Sequence, residues 1–249
     1  MKRAIIIGAT SGIGRGMAER LIKEGWQVAI TGRRIAALTE MQEKYGAERV
    51  TIAEMDVRKA EAADTLEQLL STFGTPNLFL YSAGIGWQNR ELVPDVELSM
   101  VATNCEGMVR IIDHIFNHAK QAQIDPKRPM QVAVITSVAG TKGLGSAPAY
   151  SATKKMQSTY ISALSQLARM ENVPVRFSDI RPGFVATEIL NPEKKYPMVM
   201  TCEQAVNHIQ RGLRRGKRII IFDWRFKLLV LFWRLIPRPI WERITFIKN

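Results

Sequence analysis

The sequence predicts an α/β fold, built as a doubly wound, mostly parallel seven-stranded sheet with helices on both faces. Short apolar segments rich in β-branched residues alternate with longer amphipathic segments, which is the pattern of repeated strand–helix–strand units. The predicted strands are hydrophobic on both faces, as parallel strands are when helices cover the sheet from both sides. Their regular alternation with helices therefore indicates one continuous sheet joined by right-handed crossovers.

Seven strands and six helices account for the first 222 residues. The predicted strands are 4–7, 27–31, 50–55, 78–81, 131–136, 175–180 and 218–222. Five predicted helices lie near residues 14–24, 35–45, 60–73, 97–122 and 150–171. The sixth is expected to begin after an N-cap at Thr201, since Gln204 stands three residues later, and to end near residue 215. We therefore expect residues 1–222 to form a single domain.

Composition excludes several classes of protein. The chain of 249 residues is 46% hydrophobic and 23% charged, which is average for a globular protein and excludes disorder, collagen and coiled coil. No apolar run approaches the ~20 residues that span a bilayer. We expect no signal peptide, because residues 2–8 read as a core strand and its turn. Two cysteines, Cys105 and Cys202, cannot form a disulfide framework, so a cytoplasmic location is expected.

The net charge of +12 is concentrated at the C-terminal end of the chain. Residues 211–249 hold 11 Lys or Arg and two acidic residues, a net of +9, which leaves +3 for the rest. Because the body is nearly neutral, we predict no nucleic-acid partner.

Residues 223–249 are expected to form a basic, aromatic-rich C-terminal extension. Asp223 can cap a helix over 224–236, with a second segment over 240–248. Such a helix could pack on the body, pack on a second subunit, or lie peripherally on an anionic membrane surface. The sequence leaves these three alternatives open.

Small and polar residues follow six successive predicted strands, so we expect a ligand cleft along the carboxyl edge of the sheet. After the first strand, three glycines stand at a strand-to-helix junction. They allow a tight turn close to a pyrophosphate, whose charge the helix N-terminus stabilises. This position indicates a Rossmann-type dinucleotide site more than a purely structural turn. The candidate cofactor-binding residues of this turn are Gly8, Thr10, Ser11, Gly12, Ile13 and Gly14.

The end of the second strand indicates which nicotinamide cofactor is used. Sites for NAD place an acidic residue there, hydrogen-bonded to the ribose 2′-hydroxyl, whereas sites for NADP have small residues and a nearby arginine. Here Gly32 takes the acidic position and is followed by Arg33 and Arg34. A guanidinium can make a bidentate, charge-assisted contact with a 2′-phosphate. The pattern therefore favours NADPH/NADP+ over NAD.

Tyr150 and Lys154 are candidate catalytic residues because they lie four positions apart near the start of a predicted helix. That spacing places both side chains on one helix face. A lysine ammonium near a phenol lowers its pKa from ~10, and such a tyrosine can exchange a proton with a substrate oxygen. Ser137, at the end of the fifth strand, can hydrogen-bond the same oxygen.

Seven segments of the chain occur in a recognisable order. They are Gly8-x-x-x-Gly12-Ile13-Gly14, Asp56-Val57, Ala83-Gly84, Asn104-x-x-Gly107, Ser137, Tyr150-Ser-Ala-Thr-Lys154 and Pro182-Gly183-x-x-x-Thr187. In this order they resemble the short-chain dehydrogenase/reductase family. The resemblance covers residues 1 to about 190. Ser82 departs from it, since the family usually has Asn there.

The resemblance implies a nicotinamide-dependent oxidoreductase with a catalytic tetrad, in which Tyr150 is the general acid or base. It implies that Lys154 holds the nicotinamide ribose and lowers the tyrosine pKa, and that Ser137 orients the carbonyl group. Asn104 would anchor a water of the proton relay. The further cofactor-binding residues that it implies are Asp56, Val57, Ala83, Gly84, Pro182, Gly183, Val185 and Thr187, with Tyr150 and Lys154. It also implies a substrate lid over about residues 188–215.

His114 and His118 stand four apart on a predicted helix, a spacing that can clasp a metal. No acidic or cysteine ligand accompanies them in a motif, so we predict no metal site and a helix-face or interface role for both.

We therefore predict an NADPH-dependent short-chain oxidoreductase that reduces a carbonyl to an alcohol, or the reverse. Its substrate is expected to be small and fairly apolar, and the protein to be a homodimer or homotetramer. The alternative is a catalytically idle regulatory or scaffold protein that binds NADP(H). The presence of both Tyr150 and Lys154 favours the enzyme.

Overall fold

The computed structural model describes residues 1–190, 193 and 196–245. A seven-stranded sheet in the order β3-β2-β1-β4-β5-β6-β7 forms its centre, and every pair of neighbouring strands is parallel. The strands are β1 (Arg3–Ile7), β2 (Gln27–Gly32), β3 (Val50–Glu54), β4 (Leu78–Tyr81), β5 (Met130–Ile135), β6 (Val175–Ile180) and β7 (Ile219–Ile220). The doubly wound sheet predicted from the alternating pattern is thereby confirmed.

Helices cover both faces of the sheet, as predicted. The helices are α1 (Gly12–Lys23), α2 (Ile35–Tyr45), α3 (Ala62–Phe73), α4 (Pro94–Val101), α5 (Gly107–Gln121), α6 (Pro148–Met170), α7 (Cys202–Arg214), α8 (Trp224–Leu235) and α9 (Arg238–Trp241). Helices α1, α2 and α7 pack on one face, and α3, α5 and α6 pack on the other. Each face buries an apolar core, which is the dominant favourable contribution to folding.

The long helix predicted over 97–122 is interrupted. In the structure, α4 is followed by a π-helical turn over Ala102–Glu106 and then by α5. Hydrophobic spacing did not reveal the break, because the apolar positions on either side keep a helical period. π-Helical turns of this kind often occur at functional sites.

The remaining comparisons between predicted and observed elements concern the C-terminal end of the chain. The predicted strand over 218–222 is only two residues long, since pairing with β6 is limited to Ile219 and Ile220. Thr201 and Gln204 form the predicted reciprocal N-cap of α7. Asp223 caps α8 by accepting a hydrogen bond from the Arg225 backbone. Within the predicted second segment over 240–248, only Ile240 and Trp241 are helical, as the end of the one-turn helix α9. Residues 246–248 of that segment lie outside the described part of the chain.

The C-terminal extension packs on the body of the protein through one face of α8. Phe226 and Val230 are buried and pack with Val138, which begins the short 3-10 turn after β5. Further along the extension, the Trp241 indole donates a hydrogen bond to the Gly143 carbonyl at 2.7 Å. Of the three alternatives left open by the sequence, packing on the body is therefore observed for this face. No helix in the described ranges is long and apolar enough to cross a membrane.

Candidate active site

The turn after β1 requires glycine at two positions, because a side chain at either one would clash with neighbouring backbone atoms. Gly8 has φ +85°, and a Cβ there would lie 2.6 Å from the Ala83 backbone nitrogen. A Cβ on Gly14 would lie 2.1 Å from the Gly8 carbonyl oxygen. The turn therefore depends on glycine for close backbone approach, and it leads into the N-terminus of α1. This geometry fits a phosphate-binding turn.

The end of β2 lies beside this turn. A Cβ on Gly32 would lie 2.5 Å from the Thr10 side chain, so Thr10 fills the space that an acidic residue would need. Arg34 donates hydrogen bonds to the Thr10 hydroxyl at 3.2 and 3.3 Å and forms an ion pair with Glu188 at 3.1 Å. Arg33 is exposed and forms no ion pair with another residue in the described part of the chain.

Glu188 is a residue of this site that the sequence analysis missed. Its carboxylate accepts hydrogen bonds from the Ser11 hydroxyl at 3.0 Å and from Arg34 at 3.2 Å. The Arg34 contact, followed by that of Ser11, holds the pKa of Glu188 below its usual range. Glu188 thus links the start of the predicted lid to the glycine turn. Its partners are far away in the sequence, so no local motif signalled it.

The predicted adenine-side residues lie after β3. The Asp56 carboxylate is bound by the Arg58 guanidinium at 2.5 Å, and this contact holds the pKa of Asp56 below its usual range. A Cβ on Gly107 would lie 2.7 Å from the Val57 side chain, so glycine at the start of α5 leaves room for Val57. Arg110 fixes the same segment by donating to the Val57 carbonyl at 2.6 Å.

Ser137, Tyr150 and Lys154 line one cavity. Ser137 lies two residues after β5, and its Oγ accepts a hydrogen bond from the Ala139 backbone. Tyr150 and Lys154 project from the first two turns of α6, with the lysine Nζ 5.8 Å from the centre of the tyrosine ring. Gly86 allows the tyrosine to sit there, because a Cβ at that position would lie 2.5 Å from its ring.

Asn104, the fourth member of the predicted tetrad, lies in the π-helical turn and is fully buried. Its side chain exchanges hydrogen bonds with both backbone groups of Ile85 at 2.8 and 2.9 Å. It also donates to the Thr153 hydroxyl of α6 at 3.1 Å. Asn104 therefore ties the loop after β4 to the helix that carries Tyr150 and Lys154.

Gln157 is a second residue that sequence reasoning missed. It is fully buried, and its Nε2 donates to the Asn104 carbonyl at 2.7 Å. Its Oε1 accepts a hydrogen bond from Lys154 Nζ at 3.0 Å. The backbone carbonyl of Asn104 is therefore already bound by the Gln157 amide. The only sequence feature that could have indicated this contact is the position of Gln157 one helical turn after Lys154, and Gln157 belongs to no motif.

The protonation states of the two helix residues follow from burial. Burial raises the pKa of Tyr150 above its ordinary value, while the nearby Ser137 hydroxyl lowers it. Burial lowers the pKa of Lys154 to about 8, against the opposing effects of Cys105 and Asp179. The expected depression of the tyrosine pKa by Lys154 is not found in this arrangement. The reason is that the ammonium donates to Gln157 and to the Ile135 carbonyl at 3.2 Å instead.

The cavity has a volume of about 530 Å³ and lies at the carboxyl edge of the sheet. Its walls are mostly apolar, and it extends from Ile13 and Ser82 beside the glycine turn to the C-terminal helix α8. The helix contributes Phe226, Leu229 and Trp233. The predicted residues Gly84, Pro182, Gly183, Val185 and Thr187 also line it, and Ala83 contacts Gly8 at its edge. The extension therefore contributes to the site, which its sequence alone did not indicate.

The histidine pair faces α3. His114 is hydrogen-bonded to Glu67 at 2.7 Å and His118 to the Thr75 hydroxyl at 2.9 Å. Within the described ranges, no group of three or more histidine, cysteine or acidic residues has the geometry of a metal site.

Comparison of the sequence with known proteins matches one family model and several oxidoreductases. The family model described as short chain dehydrogenase matches residues 2–197. A Myxococcus xanthus protein described as an uncharacterized oxidoreductase is 30% identical over 248 residues, which cover 97% of this chain and 95% of that protein. The NADP-dependent 3-hydroxy acid dehydrogenase of Escherichia coli is 28% identical over 193 residues, which cover 75% of this chain and 74% of that protein.

Solved structures match at the level of the fold. A 3-ketoacyl-(acyl-carrier-protein) reductase from Brucella melitensis, complexed with NADH, has a TM-score of 0.77 and 23% sequence identity. The match covers 89% of this chain and 96% of that one.

Proposed function

The chain belongs to the short-chain dehydrogenase family and is an oxidoreductase of that family, and we propose that it is an NADPH-dependent carbonyl reductase in which Tyr150 transfers the proton. The observation that carries the proposal is the cavity shared by Ser137, Tyr150 and Lys154 with residues beside the glycine turn. A carbonyl group and a dinucleotide bound in that cavity would meet at these side chains. The same residues serve the reverse reaction, oxidation of an alcohol.

The residues present fit a nicotinamide dinucleotide. The glycine turn and the N-terminus of α1 would hold the pyrophosphate, since Cβ atoms at Gly8 and Gly14 would fill that space. Asp56 and Val57 would bound the adenine, and Val185 and Thr187 would fix the carboxamide. When bound, the nicotinamide supplies the hydride of the reduction.

The chain's own side chains handle the proton. Because burial raises the pKa of Tyr150, its phenol is protonated at neutral pH and can donate to a carbonyl oxygen. The Ser137 hydroxyl can donate to the same oxygen and orient it. The Lys154 ammonium, which donates to the Ile135 carbonyl and to Gln157, would hold the nicotinamide ribose.

The apolar walls of the cavity support a small, fairly apolar carbonyl substrate. The experiment is a panel of ketones and aldehydes, from polar to long-chain, with loss of NADPH fluorescence as the readout. Turnover that increases with the apolar character of the substrate supports the proposal. Tight NADPH binding without turnover on any member of the panel would instead support the idle binding protein. The oligomeric state and the cytoplasmic location stay predictions.

We expect NADPH to bind at least about tenfold more tightly than NADH, which needs only ~1.4 kcal/mol. The E. coli relative is named NADP-dependent, while the Brucella structure holds NADH, so the choice must be argued from residues. Gly32 supplies no carboxylate for a ribose hydroxyl, and Arg33 is an exposed cation beside it. Replacing Arg33 by Ala should remove most of the preference, as measured by fluorescence titration with both cofactors.

Arg34→Ala is the matched comparison for this titration, because Arg34 is already bound to Glu188 and Thr10. We expect it to reduce the preference less than Arg33→Ala does. Equal affinity of the wild type for NADPH and NADH would overturn the assignment of the cofactor.

We expect kcat/KM for NADPH to fall with rising pH through a pKa of about 8, where Lys154 loses its charge. The ratio kcat/KM reports the ionisation of the free enzyme. Gln157→Leu removes an acceptor that stabilises the ammonium, so the alkaline limb should move to lower pH. Gln157→Glu places a negative charge beside Lys154 and should move the limb to higher pH. Gln68→Glu, an exposed change, is the control, and identical limbs in all variants would exclude this role for Gln157.

A further inference from the structure

Helix α8 has a second apolar face, which nothing in the described part of the chain covers. Its inner face carries Phe226, Val230 and Trp233 and packs on the body or lines the cavity. The outer side chains are between 43% and 70% exposed, and they are Trp224, Leu228, Leu231, Phe232 and Leu235. At 3.6 residues per turn, these five fall within an arc of about 100°. We call this arc the outer face of α8.

Cations stand on both sides of the outer face. Arg225 lies on one flank, and Lys227 and Arg234 lie on the other, as their positions in the helical repeat require. Arg225 is paired with Asp223, whereas Lys227 and Arg234 form no ion pair with any residue that the structure describes. An apolar strip between positive flanks is the pattern of a helix that lies in the interface of an anionic bilayer.

A basic cleft of about 930 Å³ adjoins the same helix. It lies between α7, β7 and the first turn of α8, and Trp224, Arg225 and Lys227 belong both to its lining and to the helix. Its other cations are Arg211, Arg215 and Lys217, and none of the three is ion-paired within the described ranges. Burial, with the nearby Arg211, lowers the pKa of His208 in the same cleft, as expected where positive charge accumulates.

We propose that the outer face of α8 and the adjoining basic cleft dock this protein on an anionic lipid bilayer. The apolar side chains of the outer face enter the interface, and the cations of the cleft and the flanks contact lipid phosphates. Charge decides against a second copy of the chain as the occupant. A two-fold interface brings the same patch of both subunits together, so that Lys227 and Arg234 would face other cations. This inference is independent of the proposed catalysis.

Docking would bring the catalytic cavity close to the bilayer, because Phe226, Leu229 and Trp233 line that cavity from the inner face of the same helix. An apolar substrate dissolved in lipid would then lie next to the cavity wall.

The test is sedimentation of the full-length protein with vesicles. We expect binding to vesicles of phosphatidylcholine with about 30% phosphatidylglycerol to be at least tenfold stronger than binding to phosphatidylcholine alone. Raising the salt concentration from about 50 mM to about 500 mM should release the protein. Leu228→Glu/Leu231→Glu on the outer face, and separately Lys227→Glu/Arg234→Glu on the flank, should each weaken binding at least tenfold.

Matched controls separate docking from a general effect of charge. Lys59→Glu/Arg169→Glu changes the net charge equally at exposed positions of the body, and Leu98→Glu alters an exposed leucine of α4. Both should bind like the wild type, and NADPH binding checks the folding of every variant. Three results would overturn the proposal: no vesicle binding at low salt, equal binding to neutral vesicles, or a dimer that Leu228→Glu/Leu231→Glu converts to monomer.

Discussion

Replacing Tyr150 by Phe should lower turnover by ~10²–10⁴-fold and leave NADPH affinity nearly unchanged. The substitution keeps the ring, which lies against Gly86 and fills the same space, and removes only the hydroxyl. The substrate oxygen then lacks its proton donor. Single-turnover measurement of NADPH oxidation separates this chemical step from binding, and fluorescence titration checks the cofactor affinity.

Tyr160→Phe is the matched control for that measurement. Tyr160 lies on the same helix, and its hydroxyl donates to Asp113 away from the cavity lining. Removing this hydroxyl should reduce stability and leave turnover within a few-fold of the wild type. If the Tyr150→Phe variant kept more than about a tenth of wild-type turnover, its activation barrier would have risen by less than ~1.4 kcal/mol. That result would rule out Tyr150 as the proton donor.

The fold and the ends of its strands were predictable because their signals are local. A parallel sheet requires continuous apolar strands, and the turn after β1 requires glycines at fixed positions. Since the carboxyl ends of parallel strands meet at one edge, placing the strands also places the residues that follow them. Ser137, after β5, reaches the cavity for this reason.

Gln157 and Glu188 could not be predicted, because their roles depend on contacts between distant parts of the chain. Gln157 donates to a carbonyl 53 residues away, and Glu188 accepts from a hydroxyl 177 residues away. In the sequence, each is an ordinary polar residue on a helix or in a loop. The π-helical turn could not be predicted for the same reason. The side chain of Asn104 is held there by hydrogen bonds to Ile85 and Thr153, and the spacing of apolar residues gives no sign of such polar contacts.

Helix α8 of the C-terminal extension has apolar residues on both its buried and its exposed faces. Apolar residues occur almost all around α8, and sequence reasoning could not divide them between the body and another partner. The structure divides them: Phe226 and Val230 are buried, while Trp224 and Leu235 are exposed. The contact with Gly183 fixes this rotation of the helix, since a Cβ there would lie 2.3 Å from the Phe226 ring.

Gly14→Ala should abolish measurable NADPH binding and destabilise the protein by about 1–3 kcal/mol. A Cβ at this position would lie 2.1 Å from the Gly8 carbonyl oxygen, and backbone cannot swing aside as a flexible side chain can. The glycine turn and the start of α1 must therefore separate, which removes the close backbone approach that a pyrophosphate needs. Alanine is the better helix former by about 1 kcal/mol, so loss of stability would mean that the clash outweighs helix propensity.

Gly145→Ala is the control for this last substitution, because a Cβ there has no atom within 4 Å and its φ is not positive. It should bind NADPH and unfold in urea like the wild type. Urea denaturation and fluorescence titration on the two variants test the argument together. If Gly14→Ala bound NADPH within about twofold of the wild type, a difference of only ~0.4 kcal/mol, the turn after β1 would not be the site of the pyrophosphate. The cofactor would then have to lie elsewhere along the sheet edge, and the roles assigned to Arg33 and Asp56 would fail with it.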